Sequence, residues 1–320
     1  MPILSIVIPC YNCELFIEKT IKSVIAQDFQ NWELVVVDDG SKDKSAQKVE
    51  QFVQADTRVK LVKKQNGGVI SARKEGLKHI ASSSEYLHFL DSDDILLPNF
   101  YSEIFKFWQQ EQNMAAVYVN HTFIDENDNI TGNANWGFRY QPTRFWFNII
   151  DEKEPVTSFA AILFWCKMVE PMVVMKKEAY YNTSGWDERF GFGKIGEGVV
   201  LYGEMALKSK IGYLSKSLYL YRRHGNQSSK DSKLNAISVR NTFEIWKEKA
   251  ENGVVDKNKF ALLFCFYNTR LAIKKELGSL KHRLRFQPIQ AVVSLFKIAI
   301  LYSKSYPLVL KGTKSIKELI

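Results

Sequence analysis

The sequence predicts an α/β fold: a mostly parallel sheet flanked by helices, followed by a helical extension at the carboxyl end. Two observations carry that expectation. Short β-branched runs alternate with segments whose apolar residues fall at helical spacing over roughly the first hundred residues. Residues suited to binding collect where those runs end, and open α/β sheets place their ligands beyond the carboxyl ends of their strands.

Leu4-Ser5-Ile6-Val7-Ile8-Pro9 is a β-branched run stopped by proline, and Leu34-Val35-Val36-Val37 runs into Asp38 and Asp39. Both read as strands buried on two faces. Between them Phe16, Ile17, Ile21, Val24 and Ile25 share one helical face. A helix over 44–54 leads to a strand over 58–62, and Gly67-Gly68 opens a helix through Ser71, Ala72, Arg73, Gly76 and Leu77. Tyr86 to Leu90 is the fourth strand. Beyond Asn99 come an amphipathic helix over 101–110 and a strand over 115–120. Asp125-Glu126-Asn127-Asp128-Asn129 reads as a hairpin turn, since EF-hand spacing is absent. Trp136 to Trp146 is rich in aromatics and fits either an acceptor-binding loop or packing. Met172-Val173-Val174-Met175, a helix over 199–208 and Tyr219-Leu220-Tyr221-Arg222-Arg223-His224 complete the pattern.

The composition, 46% hydrophobic and 25% charged, is that of a globular chain able to bury a core. Cys10, Cys13, Cys166 and Cys265 are too few and too scattered for a disulfide framework, which favours a reducing compartment. The Cys10-x-x-Cys13 pair has no second pair to complete a zinc site. The amino terminus lacks the basic and long apolar segments of a signal peptide, and no apolar run reaches bilayer length. The expected location is therefore cytoplasmic. The net charge of +9 is uneven, with roughly all of the excess beyond Asp231.

The stretch Tyr86-Leu87-His88-Phe89-Leu90-Asp91-Ser92-Asp93-Asp94 ends an apolar run in three carboxylates. Asp91 and Asp93 at a strand end suit one hard divalent cation that keeps sites free for substrate phosphates. A helix cap, with Asp93 or Asp94 satisfying amides ahead of Leu96-Leu97-Pro98, is the competing account. Three further strand ends weigh on the choice: Pro9, Tyr11 and Asn12 after the first, Asp38 and Asp39 after the second, Asn66-Gly67-Gly68 after the third. Each is ordinary turn chemistry alone. Four such loops would converge on one rim.

Ile8-Pro9-Cys10-Tyr11-Asn12, Val36-Val37-Asp38-Asp39-Gly40-Ser41, Asn66-Gly67-Gly68-Val69-Ile70-Ser71-Ala72-Arg73 and Phe89-Leu90-Asp91-Ser92-Asp93-Asp94 resemble, in order and spacing, four motifs of family 2 glycosyltransferases. The resemblance covers roughly Ile3 to Ser228. It implies the GT-A fold, a Rossmann-like sheet flanked by helices, and an inverting transfer from a nucleotide-sugar donor, a UDP-sugar being expected. It also implies Mg2+ or Mn2+ on Asp91 and Asp93, with Ser92 between them. Pro9, Tyr11, Asn12 and Asp38 or Asp39 would lie around base and ribose, with Gly67 and Arg73 near the phosphates. Arg222 would be a phosphate partner and His224 a metal ligand.

One departure matters. The family usually has Glu-Asp where this chain has Glu197-Gly198, and that Asp is the expected general base. Three alternatives stand: Glu197 is the base, Asp187 or Glu188 is the base from the neighbouring Gly185-Trp186-Asp187-Glu188 segment, or transfer is impaired. The last makes the chain a nucleotide-sugar-binding partner within a glycosyltransferase complex.

The expected organisation is a nucleotide-sugar-binding half over 1–98, an acceptor-binding half over 99–230 and a basic helical extension over 231–320. Lys281-His282-Arg283-Leu284-Arg285-Phe286 precedes Ile289 to Tyr302, an apolar stretch interrupted by Lys297. This pattern suits lying on an anionic membrane surface, while a bundle packed on the catalytic domain is the alternative. No nucleic-acid-reading module is recognisable. The expected acceptor is a glycan or a lipid-linked glycan, and the sequence leaves oligomeric state open.

Overall fold

The computed structural model describes residues 3–111, 113–133, 156–157, 172–190, 197–225 and 232–255. The chain divides into two units, Met1–Gln141 with Ile150–Phe243 and Pro142–Ile149 with Glu244–Ile320. The described residues of the second unit, 244–255, carry buried Ile245, Trp246 and Ala250.

In the first unit β1 (Leu4–Cys10), α1 (Ile17–Ile25), β2 (Trp32–Asp38), α2 (Ser45–Ala55), β3 (Val59–Lys63), α3 (Val69–Leu77) and β4 (Tyr86–Phe89) alternate as the periodicity predicts. There follow β5 (Ile95–Leu96), α4 (Phe100–Gln110), β6 (Met114–Ile124), β7 (Ile130–Asn133) and β8 (Val156–Thr157). Then come β9 (Val173–Lys176), α5 (Lys177–Tyr181), α6 (Glu197–Lys208) and β10 (Lys210–Arg222), and α7 (Ser232–Glu251) runs on from this unit into the second.

All seven residues of β2 are buried, as a continuous Val-rich strand covered on both faces must be. Helix α1 turns Ile17, Thr20, Ile21 and Val24 inward, the face its spacing marks. Among the described residues the sheet order is β3-β2-β1-β4-β9-β6-β10-β5, with β7 beside β6 and β8 beside β10. Strands β1 to β4 are mutually parallel, with Cys10 opposite Asp38 and Val7 opposite Phe89. Their carboxyl ends therefore share one rim.

Beyond β4 the sheet becomes mixed, because β9 runs antiparallel to both β4 and β6 while β6 and β10 are parallel. A short apolar run such as Val173-Val174-Met175 carries no mark of direction; the expected parallel arrangement holds among β1 to β4 and between β6 and β10, and the antiparallel β9 between them makes the sheet mixed. Asp125 to Asn129 forms the expected hairpin turn, closed by the Asp125 amide on the Asn129 carbonyl at 3.0 Å, with Asp128 at φ 69. The long β10 contains register shifts between Leu214 and Ser217 and between Ser217 and Tyr219.

Gly76 lets α3 approach the sheet. A Cβ there would lie 2.4 Å from Val7 Cγ1 and 3.2 Å from Val37 Cγ2. Because both neighbours are β-branched residues of central strands, neither can yield cheaply. Gly76→Ala is expected to lower unfolding free energy by about 1–3 kcal/mol, read from the urea midpoint. A midpoint equal to wild type would refute this packing account.

Candidate active site

Register brings the first two loops together. With Cys10 opposite Asp38, the segment after β1 faces the segment after β2. Asn12, at φ 50, donates its amide to Ser41 Oγ at 3.0 Å and accepts from the Lys42 amide on Oδ1 at 2.8 Å. A short polar side chain tolerates this left-handed conformation while bonding locally. Tyr11 is left 48% exposed, its ring available to a ligand. Pro9 sits within β1 opposite Val37.

Asp38 and Asp39 part company. Asp39 accepts the amides of Gly67 (3.0 Å) and Gly68 (2.7 Å) and pairs with Lys64 Nζ at 2.6 Å. It thereby ties the loop before α3 to the end of β2. Asp38 is buried, and its Oδ1 has no hydrogen-bond partner among the described residues. A buried carboxylate oxygen left open at a strand end is unsatisfied without a ligand or water.

The acidic loop follows β4. One oxygen each from Asp91, Asp93 and Asp94 lie within 4.8 Å of one another. Thr20 Oγ1, from α1, lies 3.0 Å from the Ser92 carbonyl and 2.8 Å from that of Asp94. Asp94 accepts the Tyr219 hydroxyl at 2.5 Å and the Arg222 amide at 2.7 Å. His224 Nε2 lies 2.9 Å from Asp93 Oδ2, its ring 5.0 Å from Phe16. The cap alternative fails: Asn99 stands at the start of α4 without a side-chain cap bond, and the Asp94 oxygens face β10 instead.

Arg73 links this loop to α6. Its guanidinium donates to Glu197 Oε1 at 2.8 Å and to Asp91 Oδ1 at 3.2 Å, and its centre lies 4.6 Å from the Trp186 ring. Arg73 and Glu197 are both buried. Asp91 is pushed up to about 6, chiefly by burial; Arg73 pulls it back down, while Asp93 and Glu197 add to the rise. Its side chain remains 35% exposed, so surrounding protein crowds the carboxyl without sealing it from water. Asp94 is raised well above the usual carboxylate range, again first by burial and then by Asp93 and Asp91. Closely spaced hard oxygens whose ionised forms oppose one another suit a hard divalent cation such as Mg2+ or Mn2+.

The structure gives Arg222 and His224 partners within the protein. Arg222 is fully buried, and its guanidinium is engaged within the protein through Nε, on the Asp93 carbonyl at 2.7 Å, and Nη1, on the Asp125 carbonyl at 2.8 Å and in an ion pair with Asp128. It braces the acidic loop where a phosphate partner was expected. His224 reaches the loop through the carboxylate of Asp93. Asp187 closes on Arg189, with Oδ2 2.7 Å from Nη2, and Glu188 pairs with Lys74 at 2.6 Å while 79% exposed. Residues 191–196 and the aromatic Trp136 to Trp146 segment lie outside the described residues. Thr20, Trp186 and Asp128 carried no local sign of a site, since ordinary helix, loop and turn positions become neighbours only through the sheet.

Carboxylates at the end of a parallel strand, beside a loop organised by an aspartate and glycine amides, make a strand-end site suited to a divalent cation and a diphosphate. The family model described as Glycosyl transferase family 2 matches residues 5–170, and the chain belongs to that family. It is 30% identical over 79% of its length to glycosyltransferase GlyA of Streptococcus pneumoniae, covering 33% of that protein. It is 33% identical over 70% of its length to the minor teichoic acid biosynthesis protein GgaB of Bacillus subtilis, covering 23% of it. The chain thus spans a third or less of these two curated relatives. Among solved structures, S. aureus TarS 1-349 in complex with UDP-GlcNAc superposes with a TM-score of 0.62 at 18% identity, over 99% of this chain and 91% of that one. The fold is GT-A.

The raised Asp91 gives a signed pH dependence. A carboxyl that ordinarily titrates near 3.9, but near 6 when folded, binds protons more tightly in the native state. It therefore costs ion-free stability as pH rises from about 4 to about 6. A divalent cation needs the ionised form, so Mn2+ stabilisation is expected to weaken below about pH 6. Melting temperatures of wild type and Asp91→Asn, with and without Mn2+ from about pH 5 to about pH 7.5, check both signs. A wild-type Mn2+ shift independent of pH would refute the assignment.

Proposed function

We propose that this chain is an inverting, metal-dependent glycosyltransferase that moves a sugar from a UDP-sugar to a glycan or lipid-linked glycan of the bacterial surface. The observation that carries it is the Asp91, Asp93 and Asp94 cluster, its oxygens within 4.8 Å, on the rim shared by the other motif loops. The UDP-GlcNAc complex of the TarS neighbour and the teichoic acid assignment of the GgaB relative support the choice of donor and acceptor class.

Asp91 and Asp93 would hold Mg2+ or Mn2+, which when bound neutralises the diphosphate and so stabilises the leaving group. Tyr11, Asn12 and Asp38 would receive base and ribose. Asp39 and Gly67 shape the loop that leads to Arg73. The bond from the anomeric carbon to the diphosphate oxygen breaks as the acceptor oxygen attacks from the opposite face, which inverts configuration. The acceptor's proton goes to Glu197. That carboxylate places Oε1 on Arg73, while Oε2 is buried with no hydrogen-bond partner among the described residues. Both Asp187 oxygens are bonded to Arg189 and Glu188 is 79% exposed, whereas the Arg73 pair leaves Glu197 Oε2 without a partner among the described residues, so Glu197 is preferred as base.

Asp91→Asn/Asp93→Asn is expected to abolish transfer and Mn2+-dependent UDP binding together. Glu197→Gln should retain UDP binding and lose transfer by about 10²–10⁴-fold, the usual worth of a general base. Undiminished transfer by Glu197→Gln would remove it from the mechanism. Gly198, where the family resemblance expects an aspartate, favours a second reading: a nucleotide-sugar-binding partner. UDP binding without turnover on any acceptor or water would establish that reading instead.

The division at 98/99 is proposed as a functional one, donor side before and acceptor side after. Among the described residues no helix is long and apolar enough to cross a membrane. The residues beyond 255 lie outside the described ones, and their charge supports a cytoplasmic protein held at the inner membrane face. Full-length protein should float with anionic liposomes while a form truncated near Ser229 stays behind. Equal partitioning would sink the membrane contact.

A further inference from the structure

The β6–β7 turn, remote in sequence from the acidic loop, is bonded to it through one side chain. Arg222 Nε donates to the Asp93 carbonyl at 2.7 Å, and its backbone amide donates to Asp94 Oδ1 at 2.7 Å. On its other side Nη1 meets the Asp125 carbonyl at 2.8 Å and the carboxylate of Asp128. Asp128 also pairs with Lys19 of α1, the helix whose Thr20 hydroxyl sits on the Ser92 and Asp94 carbonyls. The Arg222 guanidinium centre lies 4.9 Å from the Phe16 ring, and that ring in turn lies 5.0 Å from the tilted ring of His224, the partner of Asp93 Oδ2. Each link leads back to the carbonyl or the carboxylate of the same loop.

We propose that Asp128 is a positioning residue for the donor and metal loop, acting through Arg222 on Asp93. The proposal rests on the metal and donor reading given above. Arg222 has no exposed surface, so its charge must be met within the protein, and Asp128 is the carboxylate in its ion pair. The direction in which Nε points, and with it the Asp93 carbonyl, is set by where Nη1 is held, because a guanidinium is planar and rigid. The backbone of Asp93 fixes how far its carboxylate stands from that of Asp91. The Asp128 left-handed backbone, φ 69, and the closed turn place its carboxylate where Arg222 needs it. The turn therefore serves the site as a brace, with the Asp128 side chain 35% exposed.

The experiment titrates Mn2+ into the full chain with UDP as probe, by calorimetry, and measures ion-free melting in parallel. Asp128→Ala is expected to raise the Mn2+ concentration for half-saturation by about tenfold or more, the usual effect of losing an outer partner of a metal-binding carboxylate. Asp128→Asn, which keeps the shape and an acceptor for Arg222, should give a smaller rise and guards against a simple loss of fold. Lys63→Ala, which breaks the surface pair with Glu50, serves as a control and should leave half-saturation unchanged. A purely structural role would lower ion-free melting without moving half-saturation, and that result overturns the proposal, as does wild-type half-saturation in both Asp128 variants. A wild-type protein that binds UDP without Mn2+, or fails to bind it, overturns the metal reading itself and this inference with it.

Discussion

Three carboxylates whose oxygens lie within 4.8 Å of one another are the constraint around which this fold is arranged. Two unit charges about 4 Å apart repel by about 4 kcal/mol at an effective dielectric of about 20, so such a cluster does not assemble by itself. Each member is held by a different part of the chain. Asp91 is held by Arg73 of α3, Asp93 by His224 just past β10, and Asp94 by Tyr219 and the Arg222 amide of β10. Thr20 of α1 holds the intervening carbonyls. Burial, and after it the neighbouring carboxylates, still hold Asp91 and Asp94 above the usual carboxylate range.

The same constraint explains why β10 lies where it does. Antiparallel pairing with β5 sets Tyr219 opposite Leu96, which delivers its hydroxyl and the following Arg222 to the underside of the acidic loop. Parallel pairing with β6 sets Arg222 beside Ile124, at the mouth of the hairpin turn. Gly212 makes the earlier part of that strand possible, since a Cβ there would sit 2.5 Å from Phe107 Cε1. At this crossing Arg222 ties the acidic loop to the hairpin turn through Nε and Nη1.

What was legible in the sequence was local. Strand runs ending in proline, aspartate or glycine announce both the strand and its functional end, because β-branched burial and turn chemistry are written within a few residues. The four loops of the rim could be placed in this way, and so could the hairpin at Asp125 to Asn129. Partners across the fold could not. Arg73 and Glu197 are 124 positions apart, and Arg222 and Asp93 129 apart, so neither pairing has a signature before strand order is known. Asp39 shows the limit well: its place at a strand end is legible, but its commitment to the amides of Gly67 and Gly68 depends on where β3 delivers the next loop.

The departure at Gly198 can be argued further from the helix that contains it. Helix α6 begins at Glu197, and successive residues on an α-helix are rotated by about 100° about its axis. A carboxylate at 197 therefore does not stand in for one at 198 by adjacency; it points elsewhere and reaches elsewhere. Here it reaches Arg73, and through that guanidinium it shares a cation with Asp91 on the donor side. If Oε2 accepts the acceptor's proton, as proposed, it does so on a group tied through Arg73 to Asp91. On the proposed mechanism, with Glu197 as base, Arg73 would thus join the base to the metal and donor loop.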